Sequence, residues 1–239
     1  MRFIIKVSFL IGIACIIAGG ILFGVAIKTN AFKRDIITNS YEISEEFNNI
    51  SIDTKIFDFK IISSESATNT KIETKETEKI KISYIVEDDT LKINHESKTR
   101  WIDNIGILGS RYKVTITVPS KNFDIIDIKA TTSDIKLEGI RANKTTIHNT
   151  TGDVRIINTI SSDKLEVALT TGDIYITKSD SKDIYLKATT GDIYGDILTP
   201  KKFTANTTTG DRRIPESVEN GEICTLKTTT GDIKIKITE

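Results

Sequence analysis

The sequence has few of the residues on which catalytic and metal chemistry depends. Its 239 residues include two cysteines, two histidines, three prolines and one tryptophan. Cys15 lies in an apolar run and Cys224 lies far downstream, so we expect no disulfide between them. His95 and His148 are isolated, and nothing resembles a nucleophile beside a base. These absences argue against a redox, metal-dependent or triad-type enzyme, and we expect no cofactor.

An excess of charge of one sign is also missing. Lys and Arg number 33, and Asp and Glu number 33. Arg2 and Lys6 are the only charged residues before residue 28, so the rest of the chain has 31 basic and 33 acidic residues. We therefore expect no nucleic-acid partner and only weak nonspecific attraction to anionic envelope polymers.

Helical periodicity is absent after the first thirty residues. The remaining sequence is rich in isoleucine, threonine, lysine and aspartate and poor in alanine, leucine and proline. Isoleucine and threonine are β-branched and suit the pleated surface of a strand. We predict an almost all-β domain.

Residues 7–27 form one long apolar segment whose only polar side chain is Ser8. As a helix they would span about 31 Å, the thickness of one bilayer core. We predict a retained single-pass anchor at 7–27, with residues 1–6 as a cytoplasmic tail and 28–45 as a polar linker. The C-terminal domain would then be extracellular, at the cell membrane.

Two other interpretations of this segment stay open. A signal peptide could be cleaved after the small residues that end at Ala26. A lipoprotein acylated at Cys15 fits less well, because Gly12 stands where a bulky aliphatic residue is wanted.

A short string recurs through the second half of the chain. Its copies are TTSDIKL, TTGDVRI, TTGDIYI, TTGDIYG, TTGDRRI and TTGDIKI, and their aspartates are separated by 19, 20, 19, 19 and 21 residues. Self-similarity at this period is typical of a solenoid, in which each repeat is one coil stacked on the next. We assign the regular repeats to residues 132–239.

One coil shows how the repeat would fold. In DIYLKATTGDIYG the apolar residues Ile184, Leu186 and Ala188 alternate with polar ones, and the apolar positions resume at Ile193 after the glycine. Alternation predicts strands with one buried face, and twenty residues are too few for a propeller blade. Equivalent strands would pair in parallel, so we predict a right-handed parallel β-solenoid with 19–21 residues per coil.

The glycine and aspartate of each copy have two possible roles. Glycine suits a tight bend, and an aspartate can stabilise that bend by accepting backbone N–H groups. A column of carboxylates could instead bind cations, but the period and glycine content do not match those of calcium-binding β-rolls. We therefore predict a structural corner without a metal. Its residues are Asp134, Gly152, Asp153, Gly172, Asp173, Gly191, Asp192, Gly210, Asp211, Gly231 and Asp232.

Three departures from the pattern carry further predictions. Ser133 replaces glycine in the first copy, which predicts a different bend there. Arg212 replaces the core aliphatic residue and Pro215 follows it, which predicts a bulged loop on the penultimate coil. The final strand would present a free edge, protected by Lys234 and Lys236.

Residues 46–131 repeat less regularly and are predicted to be a degenerate, capping β-region. The spacing places Asp58 four periods before Asp134, so degenerate coils could begin near residue 50. The sequence EKIKISYIVEDDTLKINHES predicts a hairpin. The stretch around Trp101 breaks the pattern, and we expect it to fold back over one end of the solenoid.

The motifs together resemble a known bacterial family. The repeated TTGDI between alternating strands, preceded by FNNISIDTKIFDFKI, DDTLKI and ITVPS, resembles the "putative adhesin" repeat family, a domain of unknown function, over roughly residues 46–239. With its preceding apolar segment the chain is also similar to LiaG-like envelope proteins of Gram-positive bacteria. The resemblance implies a β-solenoid at the cell surface with no catalytic residues.

We therefore expect a membrane-anchored, adhesin-like interaction module of the cell envelope, whose partner is an envelope protein or polymer. The first alternative is an accessory protein for envelope-stress sensing, which would need another protein to signal. A remote alternative is a β-helix enzyme acting on polysaccharide, but the sequence shows no convergent site. Tyr175, Tyr185 and Tyr194 face outward and could form an aromatic strip on the solenoid.

Overall fold

The computed structural model describes residues 36–97 and 112–238, together with residues 12, 15–21, 23–25 and 28 near the N-terminus. The N-terminal residues are helical and exposed, and they belong to a different unit from the strands. Among the described residues, no helix combines the length and apolar character needed to cross a bilayer. Ten of the 21 residues of the predicted anchor lie outside the described residues, and so does the segment around Trp101.

The rest of the described chain is β-structure. The strands are β1 (Ile37–Ile43), β2 (Asn49–Asp53), β3 (Phe57–Ser64), β4 (Thr70–Glu76), β5 (Ile80–Glu87), β6 (Thr90–Ser97), β7 (Tyr112–Pro119), β8 (Asn122–Thr132), β9 (Ile135–Glu138), β10 (Arg141–Thr151), β11 (Val154–Ile157), β12 (Ile160–Thr171), β13 (Ile174–Thr190), β14 (Ile193–Ile197), β15 (Lys201–Thr209), β16 (Arg212–Arg213), β17 (Glu222–Thr230) and β18 (Ile233–Ile237).

These strands form two faces, which we call face A and face B. Their order on face A is β1–β4–β7–β3–β9–β11–β13–β14–β18–β16. On face B it is β5–β6–β2–β8–β10–β12–β13–β17–β15. β13 belongs to both faces because the chain bends within it at Lys178, whose φ is +45°. Each coil thus contributes one strand to each face, as expected for a β-solenoid.

Alternation along the strands places the core between the two faces. In β10, β11 and β13 the aliphatic residues at every second position are fully buried, among them Ile147, Val154 and Ile184. Most outward positions are polar or charged, with exceptions such as Ile125 and Ile223, so each strand buries mainly one face, as the sequence pattern predicts. Phe47 and Phe123 belong to the same core, and their rings stack with centroids 6.2 Å apart.

Most strand pairs are parallel, but the N-terminal end is mixed. β4 pairs antiparallel with both β1 and β7, and β5 pairs antiparallel with β6. The predicted hairpin is therefore confirmed as β5–β6, and the predicted parallel pairing is confirmed for the strands of the regular repeats. Short connections allow antiparallel neighbours, and such strands can end the solenoid without a further coil. The right-handed sense of winding stays a prediction.

We predicted a polar linker at residues 28–45, and this prediction was wrong for Ile37–Ile43, which form β1. β1 pairs with β4 over seven positions, from Ile37 opposite Glu76 to Ile43 opposite Thr70. Ile43 is buried in the core, and Tyr41 packs against it. An amphipathic strand of this kind is part of the domain.

No coils lie between Asp58 and Asp134. β2 and β3 pair directly with β8 and β9, so the two aspartates are on neighbouring coils although they are 76 residues apart in sequence. β4 to β7 occupy the outer side of this first coil. The equivalence of Asp58 with the repeat aspartates was right, but the expectation of intervening degenerate coils was wrong.

The last two coils are stacked in the reverse of their sequence order. β17 lies between β13 and β15, and β18 lies between β14 and β16. The coil that is last in sequence, β17 and β18, thus lies between the coil that contains β14 and the coil that contains β15 and β16. We predicted that the final strand has a free edge. This prediction was wrong for Ile233 and Lys234, because both residues pair with β16.

Candidate functional site

The repeated corners form one continuous column, which we call the aspartate column. In spatial order its members are Asp58, Asp134, Asp153, Asp173, Asp192, Asp232 and Asp211. Each Oδ1 atom accepts a hydrogen bond from the backbone N–H of the next aspartate, at distances of 2.6–3.1 Å. The carboxylates therefore link every coil to its neighbour through charge-assisted hydrogen bonds.

The second oxygen of several carboxylates also has a partner within its own coil. The side chain two residues after the aspartate donates to Oδ2 in four coils. The donors are Arg155 at 2.9 Å, Tyr175 at 2.9 Å, Tyr194 at 2.7 Å and Lys234 at 2.6 Å. Among the described residues, no group of three His, Cys, Asp or Glu side chains is arranged to hold a metal ion. The geometry of these carboxylates is that of a hydrogen-bonded corner.

These contacts change the titration of the groups involved. The hydrogen bond to Asp192 raises the pKa of Tyr194 to about 12. The hydrogen bond to Asp173 likewise raises the pKa of Tyr175. The Lys234 ammonium, followed by the Asp211 backbone N–H, lowers the pKa of Asp232. The phenols stay neutral and the carboxylate charged over the physiological range.

A column of glycines runs beside the aspartates and makes the close stacking possible. Gly152, Gly172, Gly191, Gly231 and Gly210 have φ values from +119° to +147°. A Cβ atom on any of them would lie 2.0–2.2 Å from the carbonyl oxygen of the preceding coil. No L-side chain fits at that distance, so the corner requires glycine on steric as well as conformational grounds.

The first copy of the motif differs because of its position in the stack. Ser133 has no positive φ, and its carbonyl oxygen is the atom that would clash with a Cβ on Gly152. The corner below it, which follows β2, has no TTG sequence. The different bend predicted for this copy is therefore confirmed at Ser133.

Arg212 occupies the outermost corner in space, although its copy is the penultimate one in sequence. Its Nη1 atom donates to the Ala205 carbonyl at 2.7 Å, and the side chain is exposed. The core aliphatic residue is dispensable here because no further coil packs above it. The loop after β16 folds back on β15, with the Val218 N–H bonded to the Lys201 carbonyl at 2.9 Å.

A buried ion cluster lies where the final coil is inserted, and sequence reasoning missed it. Lys201 is fully buried, and its Nζ atom lies 2.6 Å from Asp180 and 2.5 Å from Glu222. It also donates to the Ser181 carbonyl at 2.8 Å. The three charged residues come from β13, β15 and β17, the strands whose order is reversed. The alternation of β15 places Lys201 in phase with the buried Phe203 and Ala205, a local signal that sequence reasoning did not use.

One row of outward-facing side chains on face A has its charged groups bonded to the aspartate column and placed over neighbouring rings. It runs through Arg155, Tyr175, Tyr194 and Lys234 on neighbouring strands. Arg155 lies 4.8 Å from the Tyr175 ring, Lys234 lies 5.4 Å from the Tyr194 ring, and the two rings are 6.2 Å apart. Because these side chains also contact the aspartate column, the row stabilises the solenoid. Tyr185 lies on face B, so the predicted strip of three tyrosines was wrong.

Face B carries a different surface beside the corner, which we call the threonine column. The two threonines of each of the six copies are exposed, and none of these twelve hydroxyls bonds to another described residue. The members are Thr131, Thr132, Thr150, Thr151, Thr170, Thr171, Thr189, Thr190, Thr208, Thr209, Thr229 and Thr230.

A groove of about 340 Å³ runs along the threonine column. Its other wall is the row two positions before the first threonine, where Lys129, His148, Ala168 and Lys187 lie on successive strands. The small side chain of Ala168 opens the groove between His148 and Lys187. Lys227 continues the row on the inserted strand. Hydroxyls and cations thus face solvent side by side.

Comparisons with known proteins agree with this architecture. Residues 47–239 match the family model described as Toastrack DUF4097, and the chain belongs to that family. No curated protein matches the chain.

Solved structures of bacterial proteins resemble this chain to different degrees. A protein of Clostridium sporogenes named a "putative cell adhesion protein" has a TM-score of 0.54 at 13% identity, covering 85% of this chain and all of that one. A "putative adhesin" of Bacteroides fragilis has a TM-score of 0.40 at 16% identity, covering 85% and 98%. A "putative lipid binding protein" of Parabacteroides distasonis has a TM-score of 0.29 at 15% identity, covering 84% and 97%. At these identities the likeness concerns the fold alone.

Proposed function

We propose that this chain is an interaction module of the bacterial cell envelope that binds an extended partner and has no enzymatic activity. The observation that carries the proposal is the exposed threonine column with its groove. Regular rungs about 4.8 Å apart present the same donors and acceptors repeatedly, which suits an extended partner. The adhesin names of proteins that share the fold support the same class of function.

The cellular setting is part of the proposal. We infer that residues 7–27 anchor the chain and that the domain lies outside the cell membrane. The length and apolar character of this segment support the inference, as does the resemblance to LiaG-like envelope proteins. An accessory role in envelope-stress sensing fits the same location and would also act through binding.

Capture from intact envelopes tests the proposal. The full chain, immobilised through an N-terminal tag, should retain a specific envelope polymer or protein. A variant with Thr150, Thr170 and Thr189 changed to valine should retain less of it, because valine keeps the strand shape but lacks the hydroxyl. Equal retention by both proteins, or turnover of wall polysaccharide by the unaltered chain, would contradict the proposal.

A further inference from the structure

We propose that the groove on face B binds a linear anionic glycan, with lysines contacting its charged groups and threonines its hydroxyls. This inference rests on the proposed function and names the chemical class of the partner. It depends on three observations: unpaired cations, unpaired hydroxyls, and a groove that contains both.

The first observation is a pair of neighbouring lysines without a counter-charge. Lys187 and Lys227 are directly opposite each other on β13 and β17, and both are exposed. Neither forms an ion pair with any residue the structure describes, and Lys227 lies 5.6 Å from the Tyr185 ring. Like charges opposite each other on adjacent strands repel, so an anion placed between them would be stabilised.

The other basic side chains of the row, Lys129 and His148, are only loosely held by acids. Lys129 Nζ lies 3.5 Å from Asp127, and His148 Nε2 lies 3.7 Å from Glu166. Both distances exceed that of a charge-assisted hydrogen bond. The cations on face A differ in this respect, since Arg155 and Lys234 are bonded directly to the aspartate column. In the rows beside the corner, the lysines without an acidic partner among the described residues are therefore Lys187 and Lys227 on face B.

The second and third observations are the unpaired hydroxyls and the groove whose opposite wall they form. Thr150, Thr170 and Thr189 line the groove, and each hydroxyl can both donate and accept a hydrogen bond. A polymer with charge alone would leave these hydroxyls to water. A glycan carrying both anionic groups and hydroxyls matches both walls, and its extended chain matches the direction of the groove across the strands.

Titration of the full chain with three polymers tests the inference. The probes are polygalacturonate, which has carboxylates and hydroxyls, polyphosphate, which has charge alone, and dextran, which has hydroxyls alone. We expect polygalacturonate to bind most tightly, with an affinity that falls as salt rises. Dextran or polyphosphate binding as tightly as polygalacturonate would overturn the proposal.

Two substitutions with the same charge change locate the site. Lys187→Glu should weaken polygalacturonate binding about tenfold, which corresponds to about 1.4 kcal/mol. Lys236→Glu is the control, because this exposed lysine lies on β18 of face A. An equal loss in both variants would show attraction to net charge and would refute the groove. Capture of an envelope protein without any polyanion binding would refute this inference and leave the proposed function standing.

Discussion

Replacement of one corner glycine by alanine should destabilise the domain far more than an ordinary glycine substitution. At Gly191, φ is +143°, and an added Cβ would lie 2.0 Å from the Gly172 carbonyl oxygen and 2.6 Å from its carbon. Ordinary contact begins near 3.4 Å, so the two coils would have to move apart by more than 1 Å. The backbone conformation alone costs an alanine about 1–3 kcal/mol.

The displacement would also weaken hydrogen bonds between coils. Between these two coils the Gly172 N–H bonds to the Thr190 carbonyl at 3.0 Å, and the Ile174 N–H bonds to the Asp192 carbonyl at 2.9 Å. Each is worth about 1 kcal/mol. Gly191→Ala should therefore lower the free energy of unfolding by about 4 kcal/mol, a large part of the roughly 5–15 kcal/mol typical of a domain. Urea denaturation followed by circular dichroism measures this loss.

A second glycine provides the matched control. Gly139 also has a positive φ, of +70°, but an added Cβ would meet nothing closer than 3.7 Å. Gly139→Ala should cost only the left-handed backbone, about 1 kcal/mol. If both alanine variants lose the same stability, the close stacking of the corners is not what requires glycine, and the reasoning fails.

Three further predictions concern the groups that link the coils. Asp173→Ala should cost about 2 kcal/mol in urea denaturation because it leaves an inter-coil N–H without its partner, whereas Asp173→Asn should cost less because an amide oxygen remains; equal losses would contradict the hydrogen-bonding role. Lys201→Met should cost about 3 kcal/mol by the same measurement because Asp180 stays buried without its cation, and an unchanged stability would contradict the ion cluster. The folded-state pKa of Tyr194 is raised, so its contribution to stability is present below pH 10 and is lost as pH rises through about 12. Phenolate absorbance of the unaltered chain compared with Tyr194→Phe measures this, and ionisation of Tyr194 near pH 10 would contradict it.

The shape of a single coil could be predicted from the sequence because its determinants are local. Alternation identified the buried positions, and the recurring glycine and aspartate identified the corner. The second corner of the coil was missed because its left-handed residues, Gly139, Asn158 and Lys178, share no sequence motif. Their conformation is imposed by the coils above and below.

The order of the coils could not be predicted, because near-identical copies of a motif do not specify their neighbours. Asp211 and Asp232 have the same local sequence before them, yet they exchange places in the stack. The order depends on a few unique residues that meet only after folding, such as Lys201 and Glu222. Contacts of this kind are distant in sequence and have no periodic signature.

The groove could have been found from the sequence by aligning the copies. The position two residues before the first threonine is Lys129, His148, Ala168, Lys187, Asn206 and Lys227 in the six copies. This position is outward-facing in every strand, and its basic character is a shared signal. What the alignment does not reveal is that Lys187 and Lys227 have no acidic partner among the described residues, because such partners depend on neighbouring coils.

The stacking order is the central claim, and disulfide formation between threonine-column positions tests it directly. Thr190 is opposite Thr230 on the neighbouring strand, and Thr230 is opposite Thr209 on the next one. In a Cys15→Ser, Cys224→Ala background, Thr190→Cys with Thr230→Cys should form a disulfide. Thr190→Cys with Thr209→Cys should not, because two strand spacings of about 4.8 Å exceed the reach of a disulfide. A disulfide in the second pair and none in the first would show that the coils stack in sequence order and would contradict the account.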